Sequence, residues 1–423
     1  MKDVAPDSTL TPRLAAASDD WAGLDSAQWL GAALDLVPDD VERPWAWVAP
    51  NGGPAVLGWG ETARFGASGA GPVASAWRGF RDWARGHWNG ADDPTAPGAQ
   101  GPVALGSFPF DPSEAGSFVV PGVTLTRAAA GAPTRIIAAD GAPEPSPRGR
   151  GRRARPRLTI SAAPGAERAW VRAVDALRAV LADPERAEEK VVLARAVDAR
   201  ADRPLDQTGV LDWLARRFTG CWVYADDGLV GATPELLVDV HEGVFRCRIL
   251  AGTRKPGWAR ELLTDPKEQH EHALAVASVT AHLERAGLSE PRLRGPYLLE
   301  LPNVAHLATD ITARVGPGRS AADVADVLYP TAAICGTPRA EAFARIMAVE
   351  HLDRGRFSGP VGWMGADGSG QWGLALRCAQ FSPGSRRARL FAGAGILPDS
   401  RAELEWDETD SKMAPMRRAL AHG

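Results

Sequence analysis

Phe391-Ala-Gly-Ala-Gly-Ile-Leu-Pro-Asp-Ser400, followed shortly by Glu405-Trp-Asp-Glu408-Thr-Asp-Ser-Lys412, is the stretch on which the reading of this chain turns. It opens as the end of a strand built from small residues. Gly393 and Gly395 carry no side chain, so a backbone N–H there can come close to an anion. A turn at Pro398-Asp-Ser leads into a helical run in which Glu405 and Glu408 stand three apart, on one face. Lys412 follows one turn later on that face. A second pair with the same spacing, Glu268 and Glu271, lies in Lys267-Glu-Gln-His-Glu-His272. If the two helices face each other, four carboxylates converge and need a cation. A hard ion with oxygen ligands, Mg²⁺, suits them best. The competing reading is two solvated acidic faces.

The 423 residues are 45% hydrophobic and 24% charged, with a net charge of −4, the balance of an ordinary soluble globular protein. That charge gives no global basic field for nucleic acid. No apolar run reaches the length of a membrane span, and Met1-Lys-Asp-Val-Ala-Pro-Asp-Ser lacks an apolar signal core. Cys221, Cys247, Cys335 and Cys378 are scattered with no Cys-x-x-Cys, which predicts reduced thiols in a cytoplasmic protein.

The pattern along the chain predicts an α+β fold, with large antiparallel sheets packed as a sandwich and flanked by helices. Residues 1–157 read as a strand-rich N-terminal portion. It includes a hairpin across Asn51-Gly and ends in a Pro/Gly/Arg-rich linker. Within that linker, Arg148-Gly-Arg-Gly-Arg-Arg-Ala-Arg-Pro-Arg157 could be a nucleic-acid arm, but it lacks interleaved aromatics and is read as an exposed connection. Residues 158–423 read as the catalytic portion, joined to the first in one compact fold.

Single residues in this second portion stand out against their surroundings. Lys190 opens the apolar strand Lys190-Val-Val-Leu-Ala-Arg: either a solvated strand end, or a buried amine fit to take a proton from water. Glu235 follows Pro234 at the head of Leu-Leu-Val. Buried, it would have a raised pKa and serve as a general acid; exposed, it would be ordinary. Arg377 interrupts Gly-Leu-Ala-Leu-Arg-Cys-Ala, where a guanidinium wants a bidentate anion or an acidic partner. His306 reads as a core histidine or a site residue. His270 and His272 are two apart, the wrong spacing for a helical zinc pair. No phosphate loop, dinucleotide motif or nucleophile elbow is present.

Taken in order, Lys190-Val-Val-Leu-Ala-Arg, Thr233-Pro-Glu-Leu-Leu, Leu250-Ala-Gly-Thr-Arg, Glu271-His, His306-Leu-Ala-Thr, Tyr329-Pro-Thr-Ala-Ala-Ile-Cys-Gly-Thr-Pro, Phe357-Ser-Gly-Pro-Val-Gly-Trp, Leu374-Ala-Leu-Arg-Cys-Ala, Phe391-Ala-Gly-Ala-Gly-Ile and Glu405-Trp-Asp-Glu-Thr resemble the chorismate-utilising enzymes. The resemblance is strong over about 160–420 and weak over 40–135. Within the family it is nearest to the isochorismate synthases. The ammonia-using anthranilate and aminodeoxychorismate synthases lack a lysine at the position of Lys190, whereas enzymes that add water have one.

The resemblance implies that Lys190 activates water for attack at C2 of chorismate, while Glu235 protonates the departing C4 hydroxyl. It also implies Mg²⁺ held by Glu271 and Glu408 directly, with Glu268 and Glu405 through water. Arg377 and Lys412 fall on carboxylates, His306 near the ring carboxylate, and Gly252, Thr253 and Gly393 against the substrate. Two departures, Gln371 where an acid is common and Tyr329 where histidine is frequent, are read as structural. The loop Ala332-Ala-Ile-Cys bears on whether product is released or processed further. The expected protein is a monomeric enzyme without an amidotransferase subunit, membrane or nucleic-acid partner, feeding menaquinone or siderophore synthesis. A salicylate synthase and a non-catalytic relative are the alternatives.

Overall fold

Asn51 and Gly52 have φ of 55° and 73°, the left-handed pair that a tight hairpin turn requires. Around them Trp45–Val48 pairs with the first half of Ala55–Ala67, as the sequence predicts. From this hairpin the computed structural model builds one continuous 19-stranded sheet, with every ladder between named strands antiparallel. It describes residues 8–14, 21–96, 98, 100–142, 145, 155–302, 304–382, 384 and 386–422. Most of the predicted Arg-rich connection, 148–154, lies outside the described residues, as do 1–7 at the start of the chain.

The sheet has two arms that share the long strands Ala55–Ala67 and Gly116–Arg127. These two strands pair along their whole length, with a bulge between Glu61 and Ala63. In one arm, Gly116–Arg127 continues through Val103–Ser107, Pro360–Gly365, Gly370–Leu374, Leu236–His241, Val244–Arg254 and Ala305–Val315 to Leu288–Glu300. In the other, Ala55–Ala67 continues through Trp45–Val48, Trp222–Asp226, Leu229–Thr233, Cys378–Phe381 and Arg387–Ile396 to Lys190–Ala201. The facing sides enclose a core that includes Trp47, Leu105, Tyr224, Leu236 and Val361. Helices Pro72–His87, Pro266–Thr280 and Ala321–Leu328 cover the outside of the first arm. Ser26–Leu34, Gln207–Arg217 and the far half of Ala402–His422 cover the second. This is the predicted α+β sandwich, open rather than closed into a barrel.

Two crossings between the arms matter most. Leu229–Thr233 belongs to the second arm and Leu236–His241 to the first; Pro234 and Glu235 lie between them. Gly370–Leu374 belongs to the first and Cys378–Phe381 to the second; Ala375, Leu376 and Arg377 lie between them. The sequence reads 371–379 as one strand. The structure breaks it because the strand changes partners there, and Arg377 takes a left-handed φ of 50° at the break. Another difference is Leu288–Glu300, an edge strand that the sequence does not announce. Its two prolines, two register shifts and charged side chains keep that edge from recruiting another chain. The first acidic helix ends at Thr280 rather than near 287. Among the described residues no helix is long and apolar enough to cross a membrane.

Candidate active site

Asp265 caps the first acidic helix, accepting from the N–H groups of Lys267 at 2.9 Å and Glu268 at 3.4 Å, with Pro266 in the first turn. Buried His272 pins the same helix to two strands. Its Nε2 lies 2.7 Å from Thr309 Oγ1 and its Nδ1 3.3 Å from the carbonyl of Ala251. The second acidic helix, Ala402–His422, is tied to the strand Lys190–Ala201 by Arg195. That side chain donates to Thr409 Oγ1 at 2.6 Å and Asp410 at 2.8 Å, and its guanidinium lies 3.6 Å over the Trp406 ring. The helices do meet: Lys267 Nζ of the first is 3.5 Å from Glu405 Oε1 of the second.

Beneath them is a cavity with about 670 Å³ of space between its atoms. Glu235, Gly252, Thr253, Glu271, His306, Arg377, Gly393 and Lys412, all singled out from the sequence, line it. Lys190 stands immediately behind this wall. It is 1% exposed, and its Nζ is 2.8 Å from Glu271 Oε1. The glycine at 395 has a reason that the sequence reading did not give. A Cβ there would stand 2.7 Å from Lys190 Cε and 2.8 Å from Glu271 Oε1, so only glycine leaves room for the pair. Gly252, at φ 78°, likewise lets the chain turn against Glu268. The next residue, Thr253, donates its N–H to Glu268 Oε2 at 2.9 Å.

The electrostatics separate the carboxyl groups. Burial pushes the Glu235 carboxyl up to about 8, against the opposing pull of Lys190, Arg377 and Lys412, so it carries its proton at neutral pH. Burial presses Glu271 upward too, but Lys190, then Lys412 and Lys267, outweigh it and hold the group below its ordinary value. Glu268 and Glu405 are each pushed up to about 7, first by burial and next by a neighbouring carboxylate, Glu271 for one and Glu408 for the other. Each glutamate has a cationic neighbour: Lys190 at Glu271, Lys412 at 2.5 Å from Glu408, Arg254 at 3.4 Å from Glu268, and Lys267 at Glu405. Among the described residues no three potential ligands are drawn together around one point. The four side chains nonetheless offer only carboxylate oxygens, and Glu268 and Glu405 are still raised by a neighbouring carboxylate. That is the chemistry of a hard divalent ion.

On the opposite wall, Arg377 Nη2 donates to His306 Nε2 at 2.9 Å. Since a guanidinium can only donate, Nδ1 carries the imidazole proton, and it faces the Gly252 carbonyl at 3.2 Å and Thr253 Oγ1 at 3.1 Å. Burial, then the charge of Arg377, holds His306 well below the ordinary histidine value, so the ring is neutral. Arg377 Nε is buried without a partner among the described residues. An unsatisfied buried guanidinium donor carries a cost that an anion beside it would relieve.

The two departures noted in the sequence have structural roles. Gln371 Oε1 accepts from the buried Trp47 indole at 2.9 Å, and the Tyr329 hydroxyl donates to the Phe110 carbonyl at 3.1 Å. The sequence reading missed Arg354, Ser358, Phe357 and Phe391 in the cavity wall. It also missed Glu350, paired with Arg354 at 2.6 Å. An acid and an arginine four apart was the available signal.

Three comparisons with known proteins bear on this site. The family model described as chorismate binding enzyme matches residues 149–421. The isochorismate synthase EntC of Escherichia coli strain K12 is 31% identical over 339 residues, covering 77% of this chain and 82% of that protein. The isochorismate synthase MenF of Bacillus subtilis is 30% identical over 358 residues, covering 76% and 75%. The solved structure of the menaquinone-specific isochorismate synthase MenF from Escherichia coli superimposes with a TM-score of 0.73 at 23% identity, covering 98% of this chain and 95% of that one, a likeness of fold.

Proposed function

Because this chain belongs to the chorismate-binding enzyme family, we propose that it is an isochorismate synthase, adding water at C2 of chorismate as the C4 hydroxyl departs. The observation that carries the reading is a buried protonated carboxyl, Glu235, in the cavity wall, and a buried amine, Lys190, immediately behind that wall at the start of a strand. Ammonia is nucleophilic enough to attack such a ring unaided, but water is a weak nucleophile and needs a base. Lys190 takes the proton from water as oxygen bonds to C2. Both ring double bonds shift, C1=C2 to C1=C6 and C5=C6 to C4=C5, and the C4–O bond breaks. Glu235 gives its proton to the leaving hydroxyl, which departs as water, so the net change is an isomerisation. Opposed groups of this kind each contribute on the order of 10²–10⁴ in rate.

Arg377, through its unpartnered Nε, and Lys412 bind the substrate carboxylates, and neutral His306 holds the guanidinium in place. Glu271 and Glu408 would hold Mg²⁺, with Glu268 and Glu405 beside them. When bound, the ion neutralises the acidic cluster and the ring carboxylate. No amidotransferase subunit is required.

The test is product analysis. Purified protein with chorismate and Mg²⁺ should yield isochorismate, with neither salicylate nor pyruvate. Salicylate with stoichiometric pyruvate would assign a salicylate synthase instead, and no conversion of chorismate would sink the reading.

A further inference from the structure

The strand that begins with Lys190 has an incomplete outer edge. One side pairs along its length with Arg387–Ile396. On the other side, Leu158–Ser161 pairs with its far end, Asp198–Ala201, and the segment Cys335–Thr337 covers its start: Val192 N–H donates to the Cys335 carbonyl at 2.8 Å, and Gly336 and Thr337 pair with Val191 and Lys190. In the gap between these two segments, two side chains bond the open edge at Val192 and Ala194. Arg354 Nη2 donates to the Val192 carbonyl at 2.8 Å, and Glu350 Oε2 accepts from the Ala194 N–H at 2.7 Å. The two side chains bond to each other twice, Nε to Oε1 at 2.7 Å and Nη2 to Oε2 at 2.6 Å. Arg354 Nη1 reaches the Ile334 carbonyl at 3.0 Å and Ser358 Oγ at 3.5 Å. Both side chains are 3% exposed.

Arg354 lines the cavity, yet each of its N–H groups already has an acceptor. It differs in this from Arg377, whose Nε has none. Arg354 therefore has no donor to offer a substrate. What it joins are three parts of the cavity wall: the strand carrying Lys190, the loop at Ala333 and Ile334, and Ser358 at the far side.

We propose that Glu350 and Arg354 are positioning residues for the reaction: a side-chain bridge that fixes the Lys190 strand and the Thr331–Cys335 loop at the spacing water addition requires. The kinetic part of this rests on the isochorismate synthase reading. A bidentate fork cannot be replaced by an ammonium, so Arg354→Lys keeps the charge and loses the bridge. A misplacement of about 1 Å away from the reacting atoms costs about 10²-fold in rate.

Arg354→Lys and the milder Glu350→Gln are compared with wild type by steady-state kinetics on chorismate and by amide hydrogen exchange. The expected result for Arg354→Lys is a kcat 10- to 100-fold lower with KM changed less than threefold. Glu350→Gln should fall between that variant and wild type, because its amide oxygen still accepts from Ala194. Exchange should quicken at least tenfold in peptides covering 190–196 and 331–336, and stay unchanged in the helix Gln207–Arg217, which reports that the variant is folded. Wild-type kcat in a folded variant overturns the proposal, and so does a loss carried by KM alone. If wild type makes no isochorismate, the functional reading fails separately and exchange decides the bridge: faster exchange at 190–196 supports it, and unchanged exchange ends it. Should Arg354→Lys not fold, the same criteria apply to Glu350→Gln.

Discussion

Replacing Glu235 with glutamine should make the protein more stable and nearly inactive. The side chain is buried and its carboxyl is pushed from 4.5 to about 8, so the native state keeps a proton that the unfolded chain sheds at a lower pH. Below pH 4.5 both states hold the proton and the wild type has its full stability. From 4.5 to about 8 the native state alone holds it, and stability is lost at about 1.4 kcal/mol per pH unit. Glutamine mimics the protonated acid in shape and has no proton to lose, so the Glu235→Gln variant escapes this loss. At pH 7 the gap is 2.5 units, or about 3 kcal/mol in favour of the variant; at pH 5 it is below about 1 kcal/mol. With an unfolding entropy of about 2 cal/mol/K per residue, 423 residues give about 0.9 kcal/mol/K, so Tm should rise by about 3–4 °C at pH 7. The same substitution removes the general acid and should lower kcat by about 10²–10⁴. Paired thermal melts from pH 5 to 8.5, with turnover measured on the same samples, make the assay. A Tm difference that does not grow with pH would mean that Glu235 is ionised in the resting protein, and undiminished turnover would remove it as the acid.

The pH–rate profile should carry the same signature. Wild-type kcat/KM should fall above pH of about 8 with unit slope as Glu235 ionises, read by continuous assay of chorismate loss. Gly395→Ala should put a methyl group 2.7 Å from Lys190 Cε; turnover should drop by about 10² or more for a stability cost of about 1–3 kcal/mol, separated by kinetics and urea unfolding. Excess chelator should abolish turnover, and added Mg²⁺ should restore it and raise Tm; activity that survives chelation would remove the metal from the reading. Arg377→Lys should raise KM for chorismate at least tenfold, because one ammonium cannot bond both His306 and a carboxylate as the fork does.

The parts of this site that the sequence announced are those governed by local rules. Glu268 with Glu271 and Glu405 with Glu408 declare a shared helical face by spacing alone. Lys190 and Glu235 show as charges at the edges of apolar strands. Arg377 was visible for the same reason, but its conformation was not. It depends on Gly370–Leu374 pairing with Leu236–His241 while Cys378–Phe381 pairs with Leu229–Gly231, and no local pattern encodes a change of partner. Glu350 and Arg354 escaped notice because an acid at a helix C-cap and a base four residues on look the same whether solvated or buried. A second reason for Gly395 was hidden for a related cause: the atoms that exclude a Cβ belong to Lys190 and Glu271, far away in the chain. Leu288–Glu300 was hidden by the prolines and charges that let it serve as an edge.

The long strands Ala55–Ala67 and Gly116–Arg127 run through both arms of the sheet, and through them the chain's first third is woven into the rest. Val103–Ser107 lies beside Pro360–Gly365, and Trp45–Val48 beside Trp222–Asp226. A gene cut near codon 158 would therefore leave two torn sheets rather than an accessory module and a working catalyst. The separately expressed halves should aggregate, and co-expression should rescue them. Lineages that shuffle this chemistry onto new partners would have to carry the whole sandwich with it.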